Sequence, residues 1–327
     1  MLRIHVPATS ANIGPGFDTL GVALSLGNDF LLERAGSTSV SGCEEKYAGF
    51  DNLFLRAMRR ASGLLGLRTP DVALRIDARI PLARGLGSSA AMIVGGIAAA
   101  VLLDEGRQEG SPLASSERQF ILDAAAAMEG HPDNVAPAIF GGFCVSIEAE
   151  APREGISRGE RNSPREGTPA PRVLCSRSSV DPGWGFHALI PPFELPTREA
   201  RAALPATLPR ADAVYNIGRA ALVALAFEKK DAAALGAACD DKLHQPYRKG
   251  LIPGYDIVTK ACRDAGASAV WLSGAGPTII ALTVGHEAGA RFSAMIAPVL
   301  ASRPEGPWLQ ETLSADQEGL AWTSGKG

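Results

Sequence analysis

The chain has 327 residues, 46% hydrophobic and 20% charged, an ordinary globular composition. Its length predicts two domains, since a single core rarely grows past roughly 250 to 300 residues. A formal net charge of −3, from 32 Lys and Arg against 35 Asp and Glu, does not resemble the strongly basic composition of a nucleic-acid binder, and a local cationic pocket would not show in that total. Cys43, Cys144, Cys175, Cys239 and Cys262 are scattered and form no C-x-x-C pair, so reduced thiols are expected rather than a disulfide scaffold or zinc ribbon.

Met1 to Pro7 alternates like a first strand and lacks a signal peptide's apolar core. A polar, glycine-bearing segment, Pro7 to Asp18, follows, then extended sequence to about Glu33. Leu53, Ala57, Ala61 and Leu64 have helical spacing over Asn52–Leu65. Val72, Leu74, Ile76, Ala78 and Ile80 alternate as a half-buried strand. The run Pro81-Leu-Ala-Arg-Gly-Leu-Gly-Ser-Ser leads into an alanine-rich helix from Ala90 to about Leu103. That apolar helix is too short to span a bilayer and contains Gly95-Gly96. A cytoplasmic protein with no membrane partner is expected.

A second helix, about Ser116–Met128, ends at Glu129-Gly-His-Pro-Asp-Asn134. Ala149–Pro171 has almost no large apolar residue and reads as a mobile linker. Strands resume at Arg172–Cys175 and Phe186–Ile190. Helices are expected near Thr197–Ala203, Asp212–Phe227, Asp231–Asp241 and Tyr255–Ala265, then strands at Ala269–Leu272 and Thr278–Val284 joined by a glycine-rich turn. After a late helix, Ala288–Leu300, the remainder reads as a polar tail. The predicted division is 1–148, a 149–171 linker, 172–302, and a 303–327 tail. Strands and helices mix without regular βα alternation, which points to α+β.

The segment Pro81–Ala91 carries the chemistry. It joins a strand to a helix, whose first N–H groups lack intrahelical partners and stabilise an anion. Gly85 and Gly87 permit positive φ, so the backbone can close around phosphate oxygens. Ser88 and Ser89 can cap the helix, and a hydroxyl there can ligate Mg²⁺. A plain glycine turn with a serine cap would look the same. There is no Walker lysine and no protein-kinase glycine loop.

Two further segments extend the pattern: Pro7-Ala-Thr-Ser-Ala-Asn-Ile-Gly-Pro-Gly-Phe-Asp18 and Ser273-Gly-Ala-Gly-Pro-Thr278. With the Pro81–Ala91 run, in this order, they resemble the signature of the GHMP kinases. Within that superfamily, Ser10–Asp18, Glu129–Gly142, Pro196–Arg201 and Pro246–Tyr255 resemble the homoserine kinases. The resemblance implies a two-domain α+β fold, an N-terminal domain like domain 2 of ribosomal protein S5 followed by a ferredoxin-like domain. It also implies a homodimer.

By the same resemblance ATP is held by Pro81, Arg84, Gly85, Leu86, Gly87, Ser88, Ser89, Ala90 and Ala91, with Gly274 and Gly276, and Mg²⁺ by Ser89 and Glu129. Homoserine would be bound by Asn12, Asp18, His131, Asn134, Thr197, Arg201 and Arg248. The arginines suit a carboxylate, and Asp18 is the carboxylate expected nearest the reacting hydroxyl. His131 and Asp133 could equally order their own loop. His5, His187, His244 and His286 have no ligand spacing and read as structural or exposed. The alternatives are another GHMP kinase, acting on mevalonate, a sugar or shikimate, and a catalytically inactive binding protein on the same fold. Loss of Ser89, Glu129 or Asp18 would be expected in the latter, and all are present.

Overall fold

The computed structural model describes residues 1–104, 106, 110–149 and 172–325. Its first sheet is organised by β1 (Leu2–Ala11) and β2 (Leu20–Arg34), paired antiparallel from Leu2↔Leu32 to Ala11↔Gly21, with a bulge between Pro7 and Ala8. Strand β2 is long enough to take two partners along its other edge. Its C-terminal half pairs with β4 (Val72–Asp77), to which β3 (Ser39–Ser41) is parallel. Its N-terminal end pairs with β5 (Phe143–Ala149), which continues to β6 (Arg172–Ser178).

Helices α1 (Leu53–Leu64), α2 (Ser88–Leu102), α3 (Ser115–Glu129) and α4 (Val135–Phe140) contribute to the main core with this sheet. Helix α2 is apolar all round and accordingly central, with Ala90, Ala91, Val94 and Ile97–Ala99 fully buried. Asn52 caps α1 by accepting from Phe54 N at 3.0 Å.

The second sheet is antiparallel, in the order β10 (Leu309–Leu313), β7 (Trp184–Ile190), β9 (Ile279–Val284), β8 (Ala269–Leu272). Helices α5 (Thr197–Ala202), α8 (Gln245–Arg248), α9 (Tyr255–Asp264) and α10 (His286–Ala301) belong to this half, while α6 (Arg210–Lys229) and α7 (Ala232–Ala238) bury Val223, Phe227 and Leu235 in the main core. Leu189, Val258, Cys262, Leu272, Phe292 and Ile296 form its own core.

Two expectations are corrected. The segment 303–327 is no loose tail: β10 pairs with β7, and β11 (Ala321–Ser324) returns to pair with β1. Strand β6 belongs to the first sheet, although it follows the 149–171 segment. A polar edge strand gives little periodic signal, because only its backbone and one face are used. The linker expected at Ala149–Pro171 lies, beyond Ala149, outside the described residues.

Within the second sheet, His187 is fully buried, its Nε2 3.0 Å from Thr283 Oγ1 and its Nδ1 3.2 Å from Thr312 Oγ1. Burial alone lowers its pKa from 6.5 to about 4. The unfolded imidazole therefore takes up a proton that the folded one refuses as pH falls from the higher value to the lower. Stability is lost across that window. Comparing about pH 7 with pH 5, this group should cost roughly 2 kcal/mol. Denaturant unfolding should show that increment in the wild type and its absence in His187→Gln.

Candidate functional site

The loop after β4 is built as the sequence suggests. Gly85 and Gly87 have φ of +75° and +72°, a region costly for residues with a Cβ. Close approach reinforces the choice: a Cβ on Gly87 would lie 2.0 Å from Thr9 Oγ1, and one on Gly85 2.3 Å from the Ser273 carbonyl oxygen. Gly87 stands before α2 and supplies no side-chain cap, so the first N–H groups of the helix point at whatever occupies the loop. Their partial positive charge favours an anion.

A cleft opens at this helix end. It is lined by Arg84, Gly85, Gly87, Ser88 and Ser89 from the loop, Asn12 and Asp18 from the β1–β2 connection, and Glu129, His131, Asp133 and Asn134 from the end of α3. Thr197 and Arg201 of α5, Arg248 of α8, and Gly274 of the β8–β9 turn complete it. All the residues expected to bind substrate or metal thus meet in one place. Leu86, Ala90 and Ala91 are buried in the core instead. Gly276 lies behind the loop, where its carbonyl would meet a Cβ on Gly85 at 2.8 Å.

The polar groups are already oriented. Asn12 Nδ2 donates to the Gly274 carbonyl at 2.8 Å, while its Oδ1 accepts from Asp18 N at 3.0 Å. Asn12, Ile13 and Asp18 have positive φ, a strain that non-glycine residues retain chiefly at functional sites. Thr9 Oγ1 donates to Asn134 Oδ1 at 2.7 Å. Asp133 Oδ1 accepts from Asn134 N at 2.9 Å and is also hydrogen-bonded to His131 Nδ1. Burial disfavours the imidazolium of His131, but Asp133, Glu129 and Asp18 outweigh it and raise its pKa above the usual range.

Arg201 forms a two-pronged pair with Asp18, at 3.1 and 2.7 Å. Arg248 differs: it is 2% exposed and donates to the carbonyls of Ala200 and Gly274 at 3.2 and 3.0 Å and to His244 Nδ1 at 3.2 Å. Burial first, then Arg201, lowers its pKa to about 10, so it remains a cation at neutral pH.

Ser89 Oγ donates to Glu129 Oε2 at 2.7 Å, bringing two hard oxygen donors together beside the phosphate loop. That donor set fits Mg²⁺, which takes one or two protein oxygens and leaves its other positions to phosphates and water. Burial raises the Glu129 pKa, opposed by Ser89 and His131.

The expectation for Arg84 is refined. Its guanidinium donates to the carbonyls of Pro191, Pro192 and Leu82 at 3.2, 3.0 and 3.2 Å, which makes it a tie between the loop and the β7–α5 connection. Sequence reasoning missed an adjoining open cavity. It shares Arg84, Ser88, Ser89 and Thr197 with the cleft and extends past Tyr47, Leu53, Met92, Ile80 and Arg79. These come from separated segments and carry no local motif.

The GHMP kinases N terminal domain model matches residues 52–142, and the GHMP kinases C terminal model matches 222–298. A homoserine kinase of Picosynechococcus is 38% identical over 97% of this chain and 98% of its own length. That decides the family. The chain belongs to the homoserine kinases of the GHMP family. A further homoserine kinase, of Gloeobacter violaceus, is 43% identical over 86% of this chain and 87% of its own. The crystal structure of homoserine kinase from Cytophaga hutchinsonii superposes with a TM-score of 0.79 at 25% identity, covering 98% and 97% of the two chains.

The glycine loop before α2 is thus closely packed on both sides, Gly85 against Ser273 and Gly276 and Gly87 against Thr9. Gly87→Ala adds left-handed strain of about 1–2 kcal/mol as well as the Thr9 clash. The expected outcome is a lower thermal midpoint together with roughly tenfold or greater loss of ATP affinity, measured by scanning calorimetry and nucleotide titration.

Proposed function

We propose that the enzyme transfers the γ-phosphoryl group of ATP to the side-chain hydroxyl of L-homoserine, giving O-phospho-L-homoserine for threonine biosynthesis. The observation that carries this reading is the meeting, in one cleft, of an anion-binding helix end with a buried arginine that has no carboxylate partner among the described residues. The phosphates would lie on Gly85–Ala90, with the nucleoside in the adjoining cavity. The amino acid would place its carboxylate at Arg248 and Thr197, and its ammonium and hydroxyl among Asn12, Asp18, Asn134 and His131.

Phosphoryl transfer through a loose transition state depends chiefly on alignment and charge stabilisation. This chain supplies both: helix α2 N–H groups for the phosphate oxygens, and oriented amides and carboxylates for the acceptor. Mg²⁺ held by Ser89 and Glu129 would supply neutralisation of phosphate charge. Asp18, with both oxygens engaged by Arg201, acts as an orienting group for the hydroxyl. Asp18→Asn should therefore retain a turnover number within about tenfold of wild type, whereas an essential base would lose roughly 10² to 10⁴; steady-state kinetics at saturating homoserine distinguishes the two.

The reaction is proposed to occur in the cytoplasm, in keeping with five free cysteines, and in a homodimer. A second copy would cover the outward apolar face of α6, where Val214 and Ile217 are 62% and 70% exposed.

The assignment is tested by offering homoserine, mevalonate, galactose and shikimate to the purified enzyme with ATP, with and without Mg²⁺. Turnover of homoserine alone, dependent on Mg²⁺, is expected. Turnover of mevalonate without homoserine would overturn the assignment. In Glu129→Gln the Mg²⁺ concentration for half-maximal rate should rise by about tenfold or more.

A further inference from the structure

His244, which the sequence pattern leaves among the structural histidines, is fully buried directly behind Arg248. The hydrogen bonding between them has a fixed direction. A guanidinium only donates, so Nδ1 of His244, 3.2 Å from Arg248 Nη1, must be the unprotonated acceptor. The ring proton then sits on Nε2, which donates to the Gly14 carbonyl at 2.7 Å. The imidazole is held neutral: burial lowers its pKa, and Arg248 assists against the opposing pull of Asp241.

The backbone carrying this ring is pinned as well. Asp241 accepts from the N–H groups of Leu243, His244 and Gln245 at 2.7, 2.9 and 2.6 Å, and from Asn216 Nδ2 at 2.7 Å. Phe17 lies against the ring at 5.5 Å between centroids. The Arg248 guanidinium is thus held from three sides: Ala200 at Nε, and Gly274 and His244 at Nη1. Nη2 has no protein hydrogen-bond partner among the described residues, and Arg248 lines the cleft.

We propose that His244 is a positioning residue, whose Nδ1 lone pair fixes the plane of the Arg248 guanidinium so that its free edge faces the carboxylate of the amino-acid substrate. Without His244 the guanidinium would keep one acceptor at Nε and one at Nη1, the carbonyls of Ala200 and Gly274. Two acceptors on one nitrogen, with a third on Nε, fix the fork before substrate arrives, and the entropy of ordering it is not charged to binding. His244 thereby acts on selectivity for substrates that carry a carboxylate. The proposal rests on the reading of Arg248 as the carboxylate site.

Two substitutions divide the ring into its halves. His244→Gln can place an amide N–H near the Gly14 carbonyl but leaves no acceptor at the Nδ1 position. His244→Asn can place an amide oxygen at the Nδ1 position and gives up Gly14. The probes are homoserine and 2-amino-1,4-butanediol, its analogue with a hydroxymethyl group in place of the carboxylate, read as a substrate or as a competitive inhibitor. In His244→Gln the KM for homoserine should rise roughly 10- to 100-fold, with the ATP KM and the affinity for the diol unchanged. His244→Asn should recover most of the homoserine affinity. Comparing two ligands on the same preparation cancels any unfolded fraction.

Equal losses for both ligands, equal losses in the Gln and Asn variants, or no loss in the Gln variant would overturn the proposal. Arg248→Met separates it from the reading beneath. Should that variant keep the wild-type preference for homoserine over the diol, the carboxylate site itself is misplaced and both fall. Should Arg248→Met abolish the preference while His244→Gln preserves it, only the role of His244 falls.

Discussion

The turn between β8 and β9 holds the two halves of the molecule in register through a hydrogen-bond chain whose direction is fixed at both ends. Trp271 Nε1 can only donate, and it reaches Ser10 Oγ at 3.0 Å. The Gly85 carbonyl can only accept, and Ser273 Oγ reaches it at 2.7 Å. The two hydroxyls, 2.9 Å apart, must therefore pass their protons in one sense, from Trp271 through Ser10 and Ser273 to the phosphate loop. Every side chain in the chain is buried, where such bonds are strong and an unpaired member is costly. One residue further on, Gly274 N donates to the Ala11 carbonyl at 3.0 Å, and the Gly274 carbonyl accepts from both Asn12 and Arg248. The glycine loop before α2 and the side chains of Asn12 and Arg248 thus hang from adjacent residues of one turn.

A second tie runs along the other rim. Arg84 spends its donors on the carbonyls of Pro191, Pro192 and Leu82, and Leu195 N donates to the Ala83 carbonyl at 3.2 Å. Ala83 accepts a φ of +51° to make this approach. The β7–α5 connection leads directly into the helix that carries Thr197 and Arg201. Displacement of the Gly85–Ser89 loop would therefore move Thr197 and Arg201 with it. Such sharing is useful where two reactants must be aligned to within fractions of an ångström.

How much of this was legible depended on whether the signal was local. The strand, glycine loop and helix around Gly85–Ala91 are written in adjacent residues, and their positions follow from periodicity and glycine chemistry alone. The assignment of Asn12, Asn134, Arg201 and Arg248 to one cleft required the resemblance, since nothing in their spacing brings four separate segments together. His244 escaped notice because its significance lies in the direction of one hydrogen bond. The adjoining cavity escaped because Tyr47, Met92 and Arg79 meet only after the sheet has folded. Strands β10 and β11 read as a polar tail in the sequence because their pairing is a backbone property, and Leu309 is half exposed while Ala321 and Thr323 are exposed.

The charges of the cleft explain selectivity better than either arginine does alone. Arg201 is neutralised by Asp18, which leaves Arg248 as a desolvated cation, and any carboxylate that reached it would recover part of that cost. A hydroxy acid without an amine, such as mevalonate, carries that carboxylate too, so Arg248 cannot by itself reject it. Asp18, Asp133 and Glu129 line the same cleft, and carboxylate oxygens offer an ammonium acceptors that an alkyl group cannot use. A zwitterion can use the cation and these acceptors together and brings no net charge to the cleft. The presence of both signs in one cleft, more than the strength of either, is what an amino-acid alcohol can match and a simple hydroxy acid cannot.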